Sequence, residues 1–384
     1  MPSNEGLCGT QITIGLVAKV LKRKADCKDA KLEDYAVEVL GNGQGYLSKI
    51  LKVRLVWDKE YESLPTAIVA KVPSFEAAKA HISGFTDDES RKATEEHWEK
   101  AYPKIHKLEL SVYDLLSGKD GGEENVCKIP KFYYGRELTA TQDGILILDD
   151  LSETAVTPNI GDGLTIAQMY QIVDEIVEFQ AHFLKQSDQL AWQERVPNQM
   201  TLEVKGVFDG AFLYENINKF SENYNIPPVL VHGDMWANNL LFERKDSSNL
   251  LAIIDWQMAH PGNMTEDLGR VLVSCVDGTI RRREACNILQ YYFDLLKKRL
   301  GADFLCPFTF DDLLRAWEVQ FPQAVCCFAM GLPLMIGGGT IDGPNKERRA
   351  EAMYLRAKMA FEDLAVIMEK FPRKTTQPES EKCP

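Results

Sequence analysis

The chain has 384 residues, 45% hydrophobic and 26% charged, with a net charge of −13 and a pI near 5.1. That length suits two domains or one two-lobed catalytic unit. The acidic balance argues against nucleic acid or an anionic membrane as partner, because both reward a positive surface.

The N-terminus MPSNEGLCGT is polar, and the apolar run ITIGLVAKVL after it is broken by Gly15 and Lys19, so neither reads as a secretory signal. From residue 34 to 72 the pattern favours strands. Val37, Val39 and Leu40 lead into the run Gly41-Asn42-Gly43-Gln44-Gly45. Ile50, Val53, Leu55 and Val56 follow, then a turn at Pro65-Thr66 and a third strand, Ala67 to Val72. Glu89 to Leu116 turns helical, with Leu108, Val112 and Leu115 or Leu116 at three-to-four spacing. IPKFYYG and GILILDD, ending at Gly135 and Asp150, are two further strands. The first 150 residues thus read as β-β-β-α-β-β.

At Asp150 the composition changes. Leu151 to Leu164 is turn-rich. A long helix then carries Ile166, Met169, Ile172, Val173, Ile176, Val177, Phe183 and Leu184 on one face. The remainder is mainly helical, interrupted by VLVHGD and LLAIIDW. The boundary between an N-terminal unit, 1–150, and a C-terminal unit, 151–384, falls there. Ala324 to Ile336, the most apolar stretch, is too short for a membrane span and holds Gly331 and Pro333, so it reads as a buried helix before the loop Gly337-Gly338-Gly339. The last residues, RKTTQPESEKCP, read as a frayed tail. The nine cysteines are odd in number and lack metal-finger spacing, which predicts reduced, mostly buried thiols in a cytoplasmic setting.

The segment VLVHGDMWANNLLF, residues 229 to 242, ends an apolar strand in His232-Gly233-Asp234 and places Asn239 five residues further on. LLAIIDW ends a second strand in Asp255. Read singly, these residues suit turns, caps and strand ends. Read jointly, they supply what phosphoryl transfer needs: a carboxylate to orient a hydroxyl and take its proton, and an amide oxygen plus a second carboxylate to hold Mg²⁺ against phosphates.

HxDxxxxN followed by IDW resembles the catalytic loop and metal motif of the aminoglycoside phosphotransferase and choline kinase clan. HGDMWANNLLF and IIDWQ resemble most closely its CHK-kinase-like group, which includes ecdysteroid kinase-like proteins and related nematode families. The resemblance covers roughly Asp34 to Phe371. It implies an α+β, bilobal protein-kinase-like fold, with a small β-rich N-lobe and a larger, mainly helical C-lobe. It also implies an ATP- and Mg²⁺-dependent kinase acting on a hydroxyl of a small molecule.

Residue by residue, the resemblance makes Asp234 the catalytic base, Asn239 and Asp255 the metal ligands, and His232 a structural brace. Lys71, mid-strand in IVAKV, would meet the α- and β-phosphates and be held by Glu109 of the ExxxY segment, with Glu95, Glu96 and Glu99 as nearby rivals. Gly41, Gly43 and Gly45, with Ser48 after them, would fold over phosphate, although this run is not the protein-kinase GxGxxG. The Asp149 carbonyl and Leu151 amide would meet adenine, with Leu148 as gatekeeper.

Two departures favour a small-molecule kinase over a protein kinase: Trp236 stands where a lysine usually follows the base, and no APE segment follows Asp255-Trp256-Gln257. A catalytically silent, ligand-binding relative remains the alternative. Thr265 is expected to cap a helix beginning at Glu266-Asp267, a pair read as structural. Trp317, Phe321, Phe328 and Met330 are expected in the core, with some of them free to wall an acceptor pocket.

Overall fold

A computed structural model describes residues 5–40, 48–74, 88–118, 124–186, 189–197 and 226–371; the glycine run from Gly41 to Gly45 and the tail from residue 373 lie outside the described residues. The N-terminal part is a five-stranded antiparallel sheet in the order β1-β2-β3-β5-β4. Its strands are β1 (Leu32–Leu40), β2 (Ser48–Trp57), β3 (Ala67–Pro73), β4 (Phe132–Arg136) and β5 (Ile145–Asp149). Helix α1 (Ile14–Lys24) precedes the sheet, and α2 (Asp88–Leu116) is inserted between β3 and β4.

Strand alternation sends the two faces of this sheet into two cores. Leu51, Val53 and Leu55 of β2, Ile68, Ala70 and Val72 of β3, and Ile145 and Ile147 of β5 pack with Val17 and Leu21 of α1. Leu146 and Leu148, on the opposite face of β5, join Leu108, Val112 and Leu116 of α2 in the larger core. Lys71, between Ala70 and Val72, is therefore turned away from the α1 core. It pairs in register with Ile50 on one side and Leu146 on the other.

Helix α1 is absent from the sequence reading, which took its apolar run only as a non-signal. Thr13 caps it by accepting a hydrogen bond from the Leu16 amide, and Ile14, Val17, Ala18 and Leu21 are buried at helical spacing.

The C-terminal part is mainly helical, which makes the fold α+β. Helix α3 (Ile166–Leu184) opens on a Thr165–Gln168 capping box and runs through the middle of the larger core. A short α4 (Gln189–Arg195) follows. Two small sheets then carry the loops of interest. Strand β6 (Ala155–Val156) pairs with β8 (Leu240–Glu243), which pairs with β9 (Leu250–Ile253). Strand β7 (Val229–Val231) pairs with β10 (His260–Gly262). Behind them pack α5 (Glu266–Cys275), α6 (Gly278–Leu300), α7 (Phe310–Gly337) and α8 (Lys346–Met368).

Three expectations need correction here. The apolar stretch at Ala324 is part of a 28-residue helix, α7, which continues through Pro322 and Pro333 because burial against α5 and α8 outweighs the local breakers. By length and composition α7 could cross a membrane, but half of its apolar window is buried inside the protein. Thr265 stands at the start of α5 without capping it; its hydroxyl and amide both donate to Asn263 Oδ1 at 3.0 Å. Of the eight described cysteines, all free, only Cys127 and Cys275 are buried, and Cys8 and Cys286 are exposed.

Candidate active site

The His232-Gly233-Asp234 segment begins where β7 ends. Gly233 adopts φ +80°, and a Cβ there would meet the Met258 carbonyl oxygen at 2.3 Å, so the turn requires glycine. Asp267 of α5 holds this turn from beneath, accepting from the His232 amide at 2.8 Å and the Gly233 amide at 3.0 Å. Burial pushes the Asp267 carboxyl up to about 7, against the pull of those two amides.

His232 joins the two loops that carry Asp234 and Asp255. It donates from Nε2 to the Ile254 carbonyl at 2.9 Å and accepts at Nδ1 from the Asp234 amide at 3.2 Å. That pattern needs the neutral ring, and burial lowers the imidazole to about 4. A single uncharged histidine thus fixes the spacing between Asp234 and Asp255.

Asp234 accepts from Arg270 of α5 at 3.1 Å. Burial raises the Asp234 carboxyl, and the Arg270 guanidinium opposes that rise. Arg270 was not singled out from the sequence. The signal was the Asp267–Arg270 spacing of three, which puts both side chains on the helix face under the loop. Asn239 ends a short 3-10 turn, Ala237–Asn239, and donates its amide NH₂ to the Asp234 carbonyl at 2.9 Å. Its amide oxygen is thereby left as the atom available to a cation.

Lys71 reaches from β3 to both helix α2 and the loop after β9. Its Nζ lies 2.8 Å from Glu109 Oε1 and 2.5 Å from Asp255 Oδ1. Among Glu95, Glu96, Glu99 and Glu109, it is Glu109 that the helix brings to the lysine. Burial alone would lower Lys71, but Asp255 and Glu109 together raise it above its ordinary value. Glu109, 3% exposed, is pushed up by burial while Lys71 holds it down. Asp255 has φ +68°, left-handed for a non-glycine residue, at a cost of roughly 1–3 kcal/mol. The next residue, Trp256, is fully buried against Phe179 and His232 and anchors this loop from behind.

All the described candidates line one cleft of about 620 Å³: Ser48, Lys71, Glu109, Asp149, Leu151, Asp234, Asn239 and Asp255. Leu148 lines it too, with Trp236 near Asp234. At the edge formed by residues 149–152, Asp149 accepts from the Tyr133 hydroxyl at 3.2 Å. Asp150 pairs with Lys52 at 2.8 Å, both nearly buried, and Lys52 also donates to Ser152 Oγ at 2.6 Å. Lys52 was missed because its partners Asp150 and Ser152 lie about 100 positions away in the chain and its own strand neighbours read as core. The aromatic set on α7 does not wall the cleft: Trp317, Phe321 and Phe328 are buried in the core, and Met330 is exposed.

Among relatives, the chain is 25% identical over 328 residues to the uncharacterized oxidoreductase dhs-27 of Caenorhabditis elegans, which covers 76% of this chain and 38% of that protein. The chain thus spans well under half the length of that relative. It is 22% identical over 319 residues to the uncharacterized kinase-like protein D1044.1 of the same organism, covering 76% of this chain and 81% of that one. Among solved structures, an ethanolamine kinase of Plasmodium vivax is similar at a TM-score of 0.46 and 12% identity, over 88% of this chain and 83% of that one. A family model described as "Uncharacterized oxidoreductase dhs-27" matches residues 1–210 and 191–371. With matches over nearly its whole length, and in keeping with the CHK-kinase-like clan to which its motifs point, the chain belongs to the DUF1679 family.

Proposed function

We propose that this protein is an ATP- and Mg²⁺-dependent small-molecule kinase that transfers the γ-phosphate to a hydroxyl of a metabolite, with a steroid-, choline-, sugar- or glycoside-like acceptor. The observation that carries the reading is Lys71 bridging Glu109 and Asp255 within the cleft that Asp234 and Asn239 also line. The cleft lies between residues 1–150 and 151–384, the proposed N- and C-lobes. The free cysteines favour a reducing, cytoplasmic setting.

In this reading Lys71, kept charged by two carboxylates, neutralises the nucleotide phosphates. The backbone at Asp149 and Leu151 receives the base, with Leu148 behind it, and Ser48 with the preceding glycines Gly41, Gly43 and Gly45 contributes to holding phosphate. Asp234 orients the acceptor hydroxyl and takes its proton. A new bond forms between the acceptor oxygen and the γ-phosphorus as the bond to the β,γ-bridging oxygen breaks, and ADP departs.

The residues fit a divalent hard cation. Asp255 and Asn239 offer a carboxylate and an amide oxygen, and no cluster of three or more His, Cys, Asp or Glu able to hold a metal occurs among the described residues. That suits Mg²⁺, which takes one or two protein ligands and completes its shell with phosphate and water. When bound, the ion supplies charge neutralisation at the phosphates.

An oxidoreductase reading, after the name of dhs-27, finds little support in this chain. A dinucleotide fingerprint needs a glycine run between a strand and a helix of a parallel unit. Here Gly41 to Gly45 fall between β1 and β2, which pair antiparallel. A catalytically silent relative is separated by one experiment. Asp234→Asn should keep ATP binding but lose about 10²–10⁴-fold in transfer to hydroxylated metabolites. Transfer at the wild-type rate would remove Asp234 from the mechanism.

A further inference from the structure

Helix α2 brings Glu109 to Lys71 and, one turn later, Tyr113 onto the same side. The Tyr113 side chain is fully buried, packs near Phe132 with ring centroids 6.1 Å apart, and lines the cleft alongside Glu109 and Asp255. Its hydroxyl lies beside the Asp255 backbone amide but completes no hydrogen bond with a described residue. Five buried side-chain nitrogens and oxygens among the described residues share that condition, and Tyr113 alone of the five residues lines the cleft. Buried phenols ordinarily have partners, and phenylalanine would fill this space without an unpaired polar atom. An unsatisfied hydroxyl kept at this place is therefore a pointer to use.

Its neighbour supplies the use. The peptide joining Ile254 to Asp255 is held at its carbonyl end by His232 Nε2. The Ile254 amide is tied to the Asn239 carbonyl at 3.0 Å. The other pole of the Ile254–Asp255 peptide, the Asp255 N–H, faces the Tyr113 hydroxyl. The orientation of this peptide sets the left-handed φ of Asp255, and with it the direction of the carboxylate.

We propose that Tyr113 is a positioning residue for Asp255: in the cation-loaded state its hydroxyl oxygen, which lies beside the Asp255 N–H without bonding it here, accepts that N–H and holds the peptide, opposite His232, in the orientation that aims the carboxylate at a divalent cation. The inference rests on the nucleotide and metal reading given above. It treats the unsatisfied hydroxyl as the cost of a group arranged for the cation-loaded state.

Tyr113→Phe in the full chain tests it, because only the hydroxyl is removed. Two quantities are read: the melting temperature without ligands, and ADP affinity by calorimetry across a Mg²⁺ series and in EDTA. The melting temperature should stay level or rise, and metal-free ADP affinity should stay within about two-fold. The Mg²⁺ concentration giving half-maximal enhancement of ADP binding should rise about 10-fold, the lower end for loss of a group that orients a metal ligand. Tyr113→Leu, which also removes the ring, should lower the melting temperature and so separate packing from orientation. The proposal is overturned if Tyr113→Phe melts several degrees lower with its Mg²⁺ dependence intact, or if neither quantity moves. Should ADP binding by the wild type show no response to Mg²⁺, the metal reading itself falls and the inference falls with it.

Discussion

Replacing Lys71 by methionine should strand Glu109 more than Asp255, because Glu109 is 3% exposed and Asp255 29%. Removing one partner of a buried pair costs about 3–5 kcal/mol when the other stays charged. Glu109 has another route, since burial already pushes it up and Lys71 is what holds it down. Without the lysine it takes a proton. Neutralising a carboxyl with an ordinary value of 4.5 costs about 1.36 kcal/mol for each pH unit above that value. The penalty then rises with pH by up to about 1.36 kcal/mol per unit, toward about 3–5 kcal/mol, the cost of the charged case. The sign follows from linkage: a carboxyl whose folded-state value is raised leaves the protein progressively less stable as pH climbs from the unfolded to the folded value.

Denaturant unfolding, followed by tryptophan fluorescence against wild type at each pH, should show a loss larger at pH 8 than at pH 5.5 by up to about 3 kcal/mol. Lys71→Met combined with Glu109→Gln should recover most of the pH 8 loss. Equal losses at the two pH values, with no recovery in the double variant, would refute the assignment of Glu109 as the stranded charge.

Two further outcomes follow from the ion pairs around the loops. Arg270→Met removes the guanidinium that opposes the rise of Asp234, so the acid limb of the kcat/KM profile should move to higher pH; an unmoved limb in a pH–rate measurement would separate Arg270 from the base. His260 pairs with Glu266 at 3.3 Å and, although burial lowers it, that carboxylate and nearby hydrogen bonds raise it to about 9. Stability from this histidine is complete below its unfolded value near 6.5 and disappears as pH rises through about 9. Wild type should therefore lose about 1–3 kcal/mol between pH 6.5 and 9.5, and His260→Gln should flatten that decline in the same unfolding assay.

The sequence made the larger elements readable because their periodicities are strong. The helix at Ile166–Leu184 and the strand at Ala67–Pro73 each keep one period over most of their length, and Ile145–Asp149 is a short continuous apolar run buried on both faces. Helix α1 also has a helical period, but its run was weighed only as a leader. The extent of α7 was hidden by Pro322 and Pro333, which tertiary packing overrides.

At the site, Lys71, Glu109 and Asp255 could be named because IVAKV, the ExxxY segment and IDW resemble motifs of the kinase clan, even though 38 and 184 positions separate the lysine from its partners. Arg270, Lys52 and the unsatisfied Tyr113 hydroxyl were not readable as such. Their significance lies in burial and in which charge or amide they meet, and neither has a local sequence signature.

The most direct measurement is a calorimetric titration of this 384-residue chain with ATP in Mg²⁺ and, separately, with NADPH. The account predicts one ATP site per chain, with affinity that depends on Mg²⁺ and is lost in Lys71→Met and Asp255→Ala, and no binding of NADPH. Saturable NADPH binding without any ATP binding would contradict it.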